Sequence, residues 1–196
     1  MTRGPRRLAA RRQEAGATLI EILVSLVILL VGLLGLIGVM IQSQRAQQES
    51  YQRVQAMLLV QDMVARIGSN RGAADCYVPA AALGTGGAAL TATPGCTLAN
   101  TDPLQQRALS DLNDWQNLLL GSAEASGGAS VGAVLSARGC VTKDAATGIF
   151  QIAVAWQGLQ TVGAPPTGVT CGAGSYGTDD AQRRTVSVTF LPVKSS

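Results

Sequence analysis

The 196-residue chain contains no histidine. That absence removes Ser-His-Asp and Cys-His catalysis, the commonest proton shuttle near neutral pH, and every zinc site that needs an imidazole. Aromatics make up only 4% of the residues, and the apolar residues are spread very unevenly. None of the four cysteines, Cys76, Cys96, Cys140 and Cys171, sits in a CxxC pair, so a four-thiolate zinc site lacks its usual spacing. Gly84-Thr85-Gly86-Gly87 lacks the GK[ST] and the strand-to-helix context of a phosphate cradle and reads as a plain flexible loop. Asp179-Asp180 is the nearest thing to an acidic cluster and reads as a turn. No catalytic residue, metal site or cofactor is assigned, and a membrane-anchored enzyme is the reading these absences disfavour.

A net positive charge is lacking everywhere but in one place. Arg3, Arg6, Arg7, Arg11 and Arg12 against Glu14 give the first sixteen residues +4, so the formal +3 of the chain leaves −1 for the rest. The basic character belongs to a short N-terminal segment, and no nucleic-acid footprint is expected beyond it.

What the chain does have is a long apolar run. Residues 22–41 carry one polar side chain, Ser25, and a helix of that length rising about 1.5 Å per residue spans the ~30 Å hydrocarbon core of a membrane. It exceeds the roughly 7–15 residues of a secretory h-region. Arginine-rich flanks stay cytoplasmic, so the residues after the run are expected on the far side of an inner membrane crossed once. At the mouth of the run stands Glu21, five residues after Gly16, and an unpaired carboxylate buried there costs several kcal/mol. Gly32, Gly35 and Gly38 repeat at three-residue spacing, as in close packing of membrane helices. Each also weakens the helix by about 1 kcal/mol relative to alanine, which allows local melting on assembly.

After residue 41 the pattern becomes amphipathic. Val54, Met57, Val60, Val64 and Ile67 recur at spacings of three and four, so one helix is expected from about Thr18 to Ser69. Asp102 followed by Pro103 and Gln105 predicts a second helix with an N-cap, a proline at its first position and a capping-box partner. Its apolar face would be Leu104, Ala108, Leu112, Trp115 and Leu119, with Trp115 as a core anchor. Three strands are expected at residues 131–142, 149–157 and 184–191. Phe150, Ile152, Val154 and Trp156 share one face of the second, and Val186, Val188 and Phe190 share one face of the third.

The fold class is therefore α+β, a long N-terminal helix whose second half packs on a C-terminal antiparallel sheet. Residues 80–101 and 158–183 lack periodicity and read as long connections, each holding a cysteine. An even cysteine count in an exported segment points to two disulfides. Four cysteines allow three connectivities, and the expected one is Cys76 with Cys96 and Cys140 with Cys171, each worth about 3 kcal/mol by the chain-entropy estimate.

The run Gly16-Ala17-Thr18-Leu19-Ile20-Glu21 resembles the prepilin family. That resemblance implies a leader of residues 1–16 cut between Gly16 and Ala17 by a membrane prepilin peptidase, which also N-methylates the new Ala17 terminus; the family more often has phenylalanine there. It implies that Glu21 is retained for assembly, neutralised by the amine freed at Ala17. Residues 17–41 would be the transmembrane and filament-core helix, 42–70 the amphipathic half of the spine, and 71–196 an extracytoplasmic pilin head. Residues 20–29, Gly32-Leu33-Leu34-Gly35-Leu36, Ser50-Tyr51-Gln52-Arg53 and the stretch from Asp62 through Arg66 to Asn70-Arg71 resemble minor pilins of type IV pili in particular. So do Arg138-Gly139-Cys140-Val141 and the Trp156 segment. The implied partners are other minor pilins, the major pilin and a tip adhesin, with the pilus on the cell surface as the final location and assembly, twitching motility and adhesion as the processes served. A minor pseudopilin of a type II secretion system would share the same leader and head.

Overall fold

The computed structural model describes residues 16, 18–122, 125–126, 129–130, 134–163 and 165–192. It divides into two units, one ending at Gln44 and one from Arg45 onward. A single α-helix, α1 (Leu19–Ser69), supplies the regular structure of the first and the spine of the second. No proline interrupts it, and the leucines of its N-terminal part are good helix formers.

Within the second unit α1 buries Ala56, Val60, Met63 and Ile67. This stripe is rotated from the one expected. Val54 and Met57 remain 53% and 42% exposed, and Val64 only borders the core. An alanine at position 56 lets the neighbouring elements approach α1 closely, and periodicity weighted by side-chain size overlooks such a position.

A 3₁₀ turn (Arg71–Tyr77) follows α1, and α2 spans Pro103–Leu119. Asp102 caps α2 by accepting from the Leu104 backbone N–H at 2.8 Å. Gln105 does not complete a capping box: its amide donates to Asn100 Oδ1 at 2.8 Å and Thr93 Oγ1 at 3.1 Å, while the Asp102 N–H bonds the Ala99 carbonyl. Leu104 is 43% exposed, and Gln105 and Gln116 join Ala108, Leu112, Trp115 and Leu119 on the buried face. Trp115 is fully buried and donates its indole N–H to the Leu59 carbonyl of α1 at 2.9 Å.

The sheet has the order β1 (Leu83–Gly84), β4 (Arg138–Lys143), β5 (Phe150–Gln157), β6 (Arg183–Phe190), with every neighbouring pair antiparallel. A separate two-stranded ribbon pairs β2 (Ala125–Ser126) with β3 (Ala129–Ser130). The first expected strand is shorter than predicted: β4 starts at Arg138, residues 134–137 hold a turn, and residues 131–133 lie outside the described residues. Phe150, Ile152, Val154 and Trp156 all face the core shared with α1 and α2. β5 is buried on both faces, because Ala153 and Ala155 pack under Cys171 and Tyr176. An edge position exposes β6 more, leaving Val188 at 40%.

β1 was not foreseen. The Gly84 to Gly87 segment is an ordered turn, since the buried Gln116 side chain accepts from the Gly84 N–H and donates to the Gly84 and Gly87 carbonyls. Gly84 has φ +94° there, a conformation glycine adopts without a Cβ penalty. Gly139 is required for another reason: a Cβ on it would overlap the Trp115 ring and Leu119. Gly139→Ala should cost about 3 kcal/mol through overpacking, read as a lowered melting temperature of the full chain in detergent.

Candidate functional site

Two constellations carry polar chemistry. The first lies at the start of α1. The Thr18 carbonyl accepts from the Glu21 and Ile22 N–H groups at 3.0 and 3.3 Å and so opens the helix. Gly16 is exposed and outside any regular element; Ala17 and residues 1–15 lie outside the described residues. Glu21 is the third helical residue and exposed. Unpaired N–H groups and the positive end of the helix dipole favour a carboxylate there. Among the described residues no ion pair includes Glu21.

The apolar residues that follow leave their side chains uncovered, from Ile22 at 52% to Ile41 at 46% exposed. This is the one helix among the described residues long and apolar enough to cross a membrane. Ser25, its single polar residue, donates to the Glu21 carbonyl at 2.7 Å and so satisfies its own hydroxyl within the helix. Gly32, Gly35 and Gly38 are helical, with no atom beyond their own helix backbone within 4 Å of where a Cβ would stand, so their smallness serves no contact among the described residues. A surface of this kind is driven out of water at roughly 25 cal/mol per Å² and is suited to a lipid or helix-packed environment. The junction thus places a carboxylate in the first turn of a helix whose following residues need an apolar surrounding.

The second constellation ties the far end of α1 to α2. Arg66 pairs with Asp62 at 2.7 Å and Asp111 at 3.0 Å. Tyr77 donates to Asp111 at 2.5 Å and accepts from Asn70, whose amide also donates to the Leu104 carbonyl. Its charged groups and the Tyr77 hydroxyl answer one another, and only the buried Asn70 Oδ1 lacks a partner among the described residues, so its work is structural. Nothing in the spacing of these residues reveals it, because Asp111 lies 45 positions from Arg66.

The four cysteines are brought together as Cys76 with Cys96 and Cys140 with Cys171. The first bond fastens the connection after α1 to the 3₁₀ turn. The second holds the long connection before β6 against the outer face of the sheet, where Tyr176 donates to the Ser136 and Ala155 carbonyls. Asp180, read as a turn residue, accepts from the Gly174 N–H and lies 3.2 Å from the buried Arg183.

Burial, and for Tyr77 its hydrogen bond to Asp111, pushes both phenols up, Tyr176 to about 12. In the unfolded chain each ionises near pH 10. Below that pH both states hold the proton and stability is unchanged. Above it the unfolded chain loses protons that the folded chain keeps. Stability should therefore fall as pH rises from about 10 to 12, by about 1.4 kcal/mol per pH unit for each phenol. Chemical denaturation of the full chain across that range checks this, and Tyr176→Phe should flatten the slope.

Residues 11–37 match the family model described as the Prokaryotic N-terminal methylation motif. The match takes in Gly16, Ala17 and Glu21 and ends inside the apolar run. No curated protein and no solved structure matches the chain.

Proposed function

We propose that this chain, whose N-terminal methylation motif supports a place in the type IV pilin and pseudopilin family, is a minor pilin of a type IV pilus of the PilV kind. The motif implies processing by a prepilin peptidase and assembly with other pilins, and with the apolar α1 it fits a single-pass membrane-anchored protein. The observation that carries the proposal is the carboxylate of Glu21 at the mouth of an otherwise apolar helix, five residues after Gly16. A buried carboxylate needs a cation, and cleavage between Gly16 and Ala17 creates one where no side chain supplies it. Methylation at Ala17 keeps that amine positively charged.

The head supports an interaction role. Its largest polar cluster, around Arg66, Asp111 and Tyr77, is an ion-pair and hydrogen-bond network joining α1 to α2, and its connections are tied down by disulfides suited to an oxidising compartment. In this reading the leader stays cytoplasmic, the head is periplasmic, and the mature chain enters the pilus near its tip with other minor pilins, the major pilin and a tip adhesin. There it serves pilus initiation, twitching and attachment.

The alternative, a minor pseudopilin of a type II secretion system, shares every feature of the junction. The Gly32-Leu33-Leu34-Gly35-Leu36 run and the Arg66 to Arg71 segment, through their resemblance to PilV, favour the pilus. Deleting the gene should abolish surface pili and twitching while leaving type II secretion intact. Lost secretion with normal piliation would assign the chain to the secretion system instead.

A further inference from the structure

β6 ends the sheet: it pairs with β5 along one edge, and among the described residues no strand pairs with the other. Such an edge presents a row of free N–H and C=O groups, which proteins usually blunt with lysine, proline or a bulge. The middle of β6, Thr185-Val186-Ser187-Val188-Thr189, has no charge and no proline. Its register with β5 sets Arg184, Val186, Val188 and Phe190 opposite Trp156, Val154, Ile152 and Phe150, so these four face α1. Val188 is nevertheless 40% exposed, and Met57 on α1 is 42% exposed. The inward face of the sheet is thus left uncovered along this edge.

Two cavities mark the ends of the seam between α1 and β6. One, of about 320 Å³, is bordered by Glu49, Arg53, Trp156 and Arg184. The other, of about 240 Å³, is bordered by Val64, Gly68, Phe190 and Leu191. Positions 53, 57, 64 and 68 fall on one helical stripe, which makes Met57 the link between the two. The first cavity is chemically incomplete. The Trp156 side chain is 97% buried, yet its indole N–H has no acceptor among the described residues. Arg53 takes part in no ion pair recorded there, and Arg184 is shared between Glu49 at 3.3 Å and the Gln160 carbonyl at 2.7 Å.

We infer that the β6 edge receives an extended segment of a partner protein as an added strand. Main-chain bonds to β6 supply affinity, and alternate side chains supply specificity. A carboxylate at one end accepts from the Trp156 indole and pairs with Arg53 and Arg184. Apolar residues at every second position then cover Val188 and Met57 and fill the cavity at Phe190 and Leu191. The span from Arg184 to Phe190 is about 20 Å at ~3.3 Å per residue. A second copy paired through its own β6 does not fit, because β6 carries no acidic residue to meet the two arginines and the indole. The inference concerns the head alone and stands whichever filament the chain serves.

The test is hydrogen exchange on the full-length chain in detergent, with two blocked peptides as probes: Asp-Thr-Val-Thr-Val-Thr-Leu-Thr and its reversed sequence. One of them should slow exchange at residues 185–190. Replacing its Asp by Lys, or using Arg184→Glu protein, should weaken the effect about tenfold. Val188→Lys should abolish the effect while β5 keeps its protection; if β5 protection is lost, Leu191→Lys replaces that variant. The inference is overturned if neither peptide slows exchange at millimolar concentration, or if a folded lysine variant responds as the parent does. It is also overturned, in favour of a second copy, if protection appears without peptide and grows with protein concentration.

Discussion

Gly16→Val is expected to leave the chain at its full 196 residues and exclude it from filaments. The bulk of a β-branched side chain at the cleavage junction is the direct cause, since Gly16 is exposed and outside the helix, where a peptidase can bind extended backbone. The consequence is electrostatic as well as steric. An uncleaved chain keeps five arginines on the cytoplasmic side, where the membrane potential and the anionic leaflet hold them. It also keeps its only N-terminal amine sixteen residues away from the position that would face Glu21. Immunoblots of the membrane fraction should show one band at precursor size, and the sheared-surface fraction should contain none. Normal mature protein from Gly16→Val would remove the cleavage step from the account.

Glu21→Ala should separate the two roles of the junction. Gly16 is untouched, so processing proceeds and the mature chain accumulates in the membrane. In the filament core the new amine then meets no carboxylate, and leaving one member of a buried ion pair alone costs about 3–5 kcal/mol. That corresponds to a fall of roughly 10²–10⁴ in the assembled fraction. Glu21→Gln keeps the shape and a hydrogen-bonding oxygen but not the charge. It should fail nearly as badly if charge neutralisation is the requirement, and recover substantially if a hydrogen bond suffices. Quantitative blots of sheared filaments against total mature chain distinguish these outcomes. Unchanged incorporation of Glu21→Ala would show that the carboxylate has no assembly role.

Both expectations rest on residues that are close together in the chain, which is why they could be read from sequence. The same is true of α1, whose unbroken aliphatic run and later amphipathic repeat gave its bounds to within a residue, and of the Asp102 cap and the inward face of β5. The misreadings have a common physical origin. Ala56 and Gly139 matter because they are small: one lets α1 approach its neighbours, the other makes room for Trp115, and hydrophobic periodicity gives weight only to large residues. Gln116 entered the buried face of α2 because the Gly84 and Gly87 backbone arrives to bond both ends of its amide, and Gln105 because Asn100 and Thr93 accept from its NH2 group. Polar residues can occupy a core when loop groups supply partners there. β1 and the Arg66, Asp111 and Tyr77 cluster join residues tens of positions apart, and no local pattern announces such pairings. The second small core beneath Cys171 and Tyr176 is likewise a product of the loop returning over the sheet.

The most direct test of the central claim, that the junction at Gly16 is cut to supply the cation Glu21 needs, is N-terminal mass spectrometry of the chain recovered from membranes and from sheared filaments, with and without the prepilin peptidase. The account predicts a terminus at Ala17 carrying one added methyl group in both fractions when the enzyme is present, and only the Met1 form, confined to membranes, when it is absent. An intact Met1 terminus in filaments of the peptidase-positive strain would contradict it.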